Sequence, residues 1–165
     1  MNGEVLFIGC AALVLFGFSD WVQRTAPGIE LFFLAAVLLG AQVDPLGVFL
    51  TILAAGWGWL AGVPWWIGCL GLLHPASAPV VIAAAGFRRR MLGGADLLAL
   101  AGIACLFEWP TVWMALAGAA LVRRWWTARR AGSVPALMGM AVGLLIYVAT
   151  AFLLGMRIPA WFSNG

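Results

Sequence analysis

From Val134 to Gly155 the chain reads VPALMGMAVGLLIYVATAFLLG, with no charged residue. A similar run, VLFIGCAALVLFGF, follows Glu4. Neither alternates apolar with polar positions, as the strands of a membrane barrel must. Runs of this kind become helices that cross a bilayer or fill the middle of a large core. Composition separates the two. The chain is 65% hydrophobic and 9% charged over 165 residues, with a mean hydropathy of +1.07. A soluble domain carries charge on about a quarter of its residues. Here there is too little polar surface to cover a soluble globule, so apolar surface must face lipid. Backbone groups in lipid must satisfy one another, which leaves helices once the barrel is excluded. The expectation is all-α: a polytopic transmembrane helix bundle forming a single domain over residues 1–165.

Turn signals divide the chain. A first helix runs from Glu4 to Asp20 and ends in the polar stretch Asp20-Trp21-Val22-Gln23-Arg24-Thr25. A second covers Gly28 to Val43, with Asp44-Pro45 as a turn, and a third begins near Leu46. Pro64, His74-Pro75 and Pro79 interrupt Leu60 to Phe87, which reads as one broken span or as an extra short hairpin. After Arg88-Arg89-Arg90, an apolar run continues from Asp96 to Phe107. Glu108-Trp109-Pro110 is a turn, Thr111 to Val122 forms the next helix, and a last helix spans Val134 to Gly155. About six spans is the simplest count, and eight follow if the hairpin exists. Several runs are shorter than the roughly 20 residues of a full crossing, so flanking residues or a locally thinner bilayer must complete them.

The net charge of +3 comes from arginine alone. Arg88, Arg89 and Arg90 form one cluster and Arg123, Arg124, Arg129 and Arg130 another, each beside an apolar segment. That is the positive-inside pattern, so these residues are expected to fix topology and to mark the cytoplasmic side. They are not a nucleic-acid signal. Arg157, on the far side, is an exception. The N-terminal run has no basic residues before it and is expected to be a retained helix, not a cleaved signal. Cys10, Cys69 and Cys105 stand singly in apolar stretches, without the spacing of a zinc or redox site. His74 is expected to be a structural, hydrogen-bonded residue. Eight of the ten tryptophans (Trp57, Trp59, Trp65, Trp66, Trp109, Trp125, Trp126, Trp161) lie near helix ends, as in an interfacial belt.

The acids are Glu4, Asp20, Glu30, Asp44, Asp96 and Glu108. Glu4, Asp44 and Glu108 fall at turns or at the outer end and read as solvated caps. Glu30 lies in the first turn of the second helix, where a carboxylate suits the helix dipole. Asp20 and Asp96 each sit at the cytoplasmic end of an apolar helix, which places them at similar depth on one side. Acids at membrane depth are costly and point to function. Two nearby carboxylates can share one proton, one acting as base on water and the other as acid on a carbonyl. That is the chemistry of aspartic proteolysis. A transporter or assembly subunit is the competing class, in which the same acids would handle cations or merely mark the interface. Transporters show polar residues and broken helices near mid-bilayer, whereas the mid-helix positions here are almost wholly Leu, Ala, Val, Ile and Gly.

Three segments narrow the choice. Gly93-Gly94-Ala95-Asp96, followed by Leu97-Leu98-Ala99-Leu100-Ala101-Gly102, resembles the GxGD signature and following helix of the type IV prepilin peptidases, which are intramembrane aspartic proteases. Asp20 to Pro27 resembles that family's other aspartate motif, and Ser133-Val134-Pro135 onward its proline-led entry into the last helix. The resemblance implies a catalytic dyad of Asp20 and Asp96, needing no metal or cofactor. Gly93 and Gly94 would bend the backbone and let a substrate chain approach, with Glu30 a candidate for holding a basic leader peptide. It implies prepilin-like protein substrates, cleaved at the cytoplasmic face of the inner membrane. Ala95 stands where the family has glycine, Leu98 where lysine is frequent and Gly28 where asparagine is customary. The interval from Asp20 to Asp96 is longer than usual. The absence of the cysteine-bearing methyltransferase domain suggests a short form.

Overall fold

The computed structural model describes residues 2–23, 26–129 and 136–154, without the side chains of 2–7 and 127–129. Arg24, Thr25, Arg130, residues 133–135, Arg157 and Trp161 therefore lie outside the described residues. Every regular element described is helical. They are α1 (Asn2–Gln23), α2 (Ile29–Gly40), α3 (Pro45–Trp59), α4 (Trp65–Leu70), a 3-10 turn (Gly71–Leu73), α5 (Ala78–Arg88), α6 (Gly94–Leu106), α7 (Trp109–Arg129) and α8 (Ala136–Leu153).

Three helix ends differ most from the sequence expectation. The first helix does not stop at Asp20 but continues to Gln23. Polarity alone does not end a helix, and residues 20–23 hold no glycine or proline. The expected turn at Glu108-Trp109-Pro110 is instead the start of α7, which carries proline in its first turn, where no N–H is needed. The same helix runs through Arg123 and Arg124 to Arg129, because arginine is a good helix former.

The segment from Leu60 to Phe87 forms the extra hairpin. α4 and the 3-10 turn run back along α3: Gly68 lies against the Trp57 ring, Gly71 against Ala54, and His74 beside Gly47. The Ser77 hydroxyl donates to the carbonyls of Gly71 (2.5 Å) and His74 (3.0 Å) and closes the turn. α5 then returns along α3. At one end of the bundle Asp44 caps α3 by accepting from the Gly47 N–H at 2.9 Å. Its other oxygen lies 3.1 Å from His74 Nε2. Asp44 is thus a partly buried partner of His74 as well as a cap. Asp44→Ala should cost about 1 kcal/mol or more through the lost cap, read as an earlier thermal transition. Asp44→Glu should recover little of this, since the longer side chain does not fit the cap.

At the opposite end Arg88 reaches the last turn of α3 and beyond. Its Nε donates to Trp57 O at 2.9 Å and its Nη2 to Leu60 O at 2.8 Å, while the guanidinium lies 4.6 Å from the Trp57 ring centroid. Arg123 Nη1 donates to Met91 O at 2.7 Å. These arginines therefore hold carbonyls at chain reversals, a role the topology rule did not contain. Arg88→Ala should lower stability by about 1 kcal/mol, and Arg88→Lys should restore only part of it, because lysine lacks the planar fork.

α6 occupies the centre, and from Asp96 to Leu106 all but Leu98 is buried. α8 lies between α1 and α7. Small residues set these spacings. A Cβ on Gly118 of α7 would strike Gly139 O of α8, and one on Gly143 would strike Met114 O. The interior is rich in Ala and Gly, whereas large apolar side chains line the outside, as with Leu31 (72% exposed), Leu73 (76%) and Phe152 (79%). Among the described residues one helix, α8, is long and apolar enough by itself to cross a membrane. α2, α3, α5 and α6 are shorter apolar helices.

Candidate active site

Asp96 stands in the first turn of α6, where it is 8% exposed. One reason for its position is local. Its Oδ2 accepts from the Gly93 N–H at 2.8 Å, the reach-back half of a capping box. The second reason is tertiary. The Leu137 backbone, in the first turn of α8, lies beside the Asp96 carboxylate.

Asp20 arrives on the last turn of α1. It is half-buried, and its Oδ2 is shielded from solvent. Its carboxylate lies close enough to Asp96 to act on it electrostatically. The approach depends on Gly17, one turn earlier. A Cβ there would sit 3.1 Å from Met138 Cα and 3.3 Å from Leu137 O. α1 therefore lies almost backbone to backbone on the start of α8, the same turn that faces Asp96. Trp21 packs edge-on against Trp126 of α7, with centroids 5.2 Å apart. The ends of α1, α6, α7 and α8 meet around the two acids.

The glycines act differently from the expectation. Gly93 has φ −80° and ψ 162°, extended backbone that any residue adopts, so it supplies no special bend. It supplies space: a Cβ would sit 3.2 Å from Asp96 Oδ2. Gly94 leaves room for the Trp59 ring, which a Cβ would approach to 2.7 Å. Ala95 is an ordinary helical position in α6, where alanine fits without strain. Gly28, by contrast, is left-handed at φ +81° just before α2. Asparagine is the other residue that tolerates this conformation, so glycine meets the same backbone demand. Glu30 stands exposed on the first turn of α2. Sequence reasoning missed Gly17, Leu137 and the Trp21–Trp126 contact. The small residue one turn before Asp20 was the available signal for the first of them.

Among the described residues no three metal-ligating side chains gather at one place. The arrangement brings two carboxylates within electrostatic range, one held by the Gly93 N–H and one at the end of α1. Two carboxylates so placed disfavour simultaneous ionisation. Comparison with protein-family models, with characterised proteins and with solved structures finds no match to this chain.

Proposed function

We propose that the chain is a polytopic inner-membrane protein and an aspartic endopeptidase similar to the type IV prepilin peptidases, cutting prepilin-like leader peptides at the cytoplasmic face. The observation that carries this reading is the placement of Asp20, at the end of α1, within electrostatic range of buried Asp96, at the start of α6. The bilayer is supported by the large apolar residues on the outside and small ones within, an arrangement that suits lipid. With α4 and the 3-10 turn taken together, eight segments alternate in direction. This puts the ends of α1, α5 and α7 and the start of α6 on one side, with Arg88, Arg89, Arg90, Arg123 and Arg124. The positive-inside rule makes that side cytoplasmic. α2, of 12 residues, is about 18 Å long. It is short for a bilayer core of roughly 30 Å, so local thinning is part of the proposal.

In the proposed reaction water lies between the two carboxyl groups. The ionised one removes its proton as the water oxygen attacks the scissile carbonyl. The protonated one gives its proton to the carbonyl oxygen. Collapse of the tetrahedral intermediate returns that proton and passes the other to the departing amine, which leaves an acid and an amine. Exposed Gly93 lets substrate backbone come close to Asp96, and exposed Glu30 is proposed to attract basic residues of the leader. The test is incubation of the purified protein with a prepilin in lipid, the product mass locating the cut bond. A second reading has one observation in its favour: the Gly93 bond makes Asp96 a helix cap. In that case the chain is a non-enzymatic membrane subunit, and no prepilin is cut.

A further inference from the structure

A groove of about 210 Å³ lies between α5 and α7, and neither Asp20 nor Asp96 lines it. Its walls are apolar: Ile82 and Gly86 on α5, Leu116 and Ala120 on α7, and Met91 from the turn between α5 and α6. Arg123 lines it too and is the charged residue among those walls. It lies toward the end where Arg89, Arg90 and Arg124 are exposed. Ile82 and Met91 are about half exposed, so the groove opens outward. A dry cavity of roughly 150 Å³ admits benzene, so this groove has room for a length of hydrocarbon chain. The apolar groove between α1 and α2, near Ala12 and Phe32, has no charged residue in its lining. The two differ in that one joins a hydrocarbon slot to a cationic end.

From this juxtaposition we infer that the α5–α7 groove binds an anionic phospholipid, its acyl chain along Ile82 and Leu116 and its phosphate at Arg123. The charge selects the occupant. A zwitterionic lipid fills the slot equally well but gains less from the arginines, and a single basic residue near the surface is worth about five-fold in retention of an anionic lipid. The Met91 carbonyl bond holds Arg123 at the groove. The inference rests on the bilayer location and not on the protease reading.

The experiment starts with flotation of the purified protein on phosphatidylcholine vesicles. A chain that does not float overturns both the bilayer location and the groove. With the floating protein, retention of phosphatidylglycerol and phosphatidylcholine of identical chains is compared by native mass spectrometry from micelles. Phosphatidylglycerol should be retained at least about five-fold better. Arg123→Gln should erase the difference and Arg123→Lys should keep it. Ala120→Leu, at an exposed position, should fill the slot and lower retention of both lipids. Equal retention by the wild type overturns the inference, as does selectivity that survives Arg123→Gln. Complete displacement of phosphatidylglycerol by inorganic phosphate overturns the acyl-chain part. A change from dimer to monomer in Ala120→Leu, with lipid retention unchanged, assigns the groove to a second copy and overturns it too.

Discussion

Asp20→Asn and Asp96→Asn should each lower prepilin cleavage by at least about 10³-fold while leaving the helical content and thermal transition near those of the wild type. General acid and base catalysis contributes about 10²–10⁴-fold, and both acids take part in every turnover proposed. Asparagine keeps a carbonyl oxygen that accepts the Gly93 N–H, the bond Asp96 makes at 2.8 Å. Asp96→Asn therefore retains the cap and loses the acid, which separates chemistry from structure. The double variant should be no slower than either single one, because groups acting as a unit are not additive. In active protein the pH profile should rise and fall with two apparent values that belong to the pair. Cleavage retained in either variant removes that residue from the dyad. A loss of thermal stability equal to that of Asp96→Ala would favour the capping role instead.

Gly143→Val should have the largest effect on stability, about 3 kcal/mol or more, measured as the thermal transition in micelles by tryptophan fluorescence. The position has no room even for a methyl group, which would strike Met114 O, and Gly118 and Gly139 are equally closed. Relief requires α7 and α8 to separate, and overpacking of this kind typically costs about 1–3 kcal/mol before the loss of neighbouring contacts is added. The site should fail with the fold. The first turn of α8 lies beside Asp96, and α1 rests on Met138. Leu145→Ala is the control, since its side chain is 46% exposed on the outside of the bundle. An unchanged transition in Gly143→Val would mean that the helices do not pack this closely.

Most of the helices could be read from the apolar runs, because a long segment without charge or proline has few other options. The turn Asp44-Pro45 was legible for a local reason: an acid before a proline makes both a cap and a first helical residue. The path from Leu60 to Phe87 was not. Its prolines state where helices break but not where the pieces go. The pieces are placed by contacts distant in sequence: Arg88 with Trp57 and Leu60, and His74 with Asp44. For the same reason the arginine clusters gave an expectation of topology but not their carbonyl partners. Topology and motif pointed to the two acids, and the structure brings them within electrostatic range. What no local pattern revealed is that the first turn of α8 closes the site. Leu137 faces Asp96 with its backbone, and a backbone contact leaves no mark on the residue chosen.

The most direct measurement concerns the meeting of Asp20 and Asp96. Asp20→Cys and Asp96→Cys are combined after Cys10, Cys69 and Cys105 are replaced by alanine, and a protease site is inserted in the turn between α2 and α3. A short thiol-to-thiol reagent is applied in native membranes, and the chain is then cut at the inserted site. The proposed site predicts that the two fragments stay joined, and that either single variant falls apart. Fragments that separate in the double variant, while both thiols are shown to react, would contradict it.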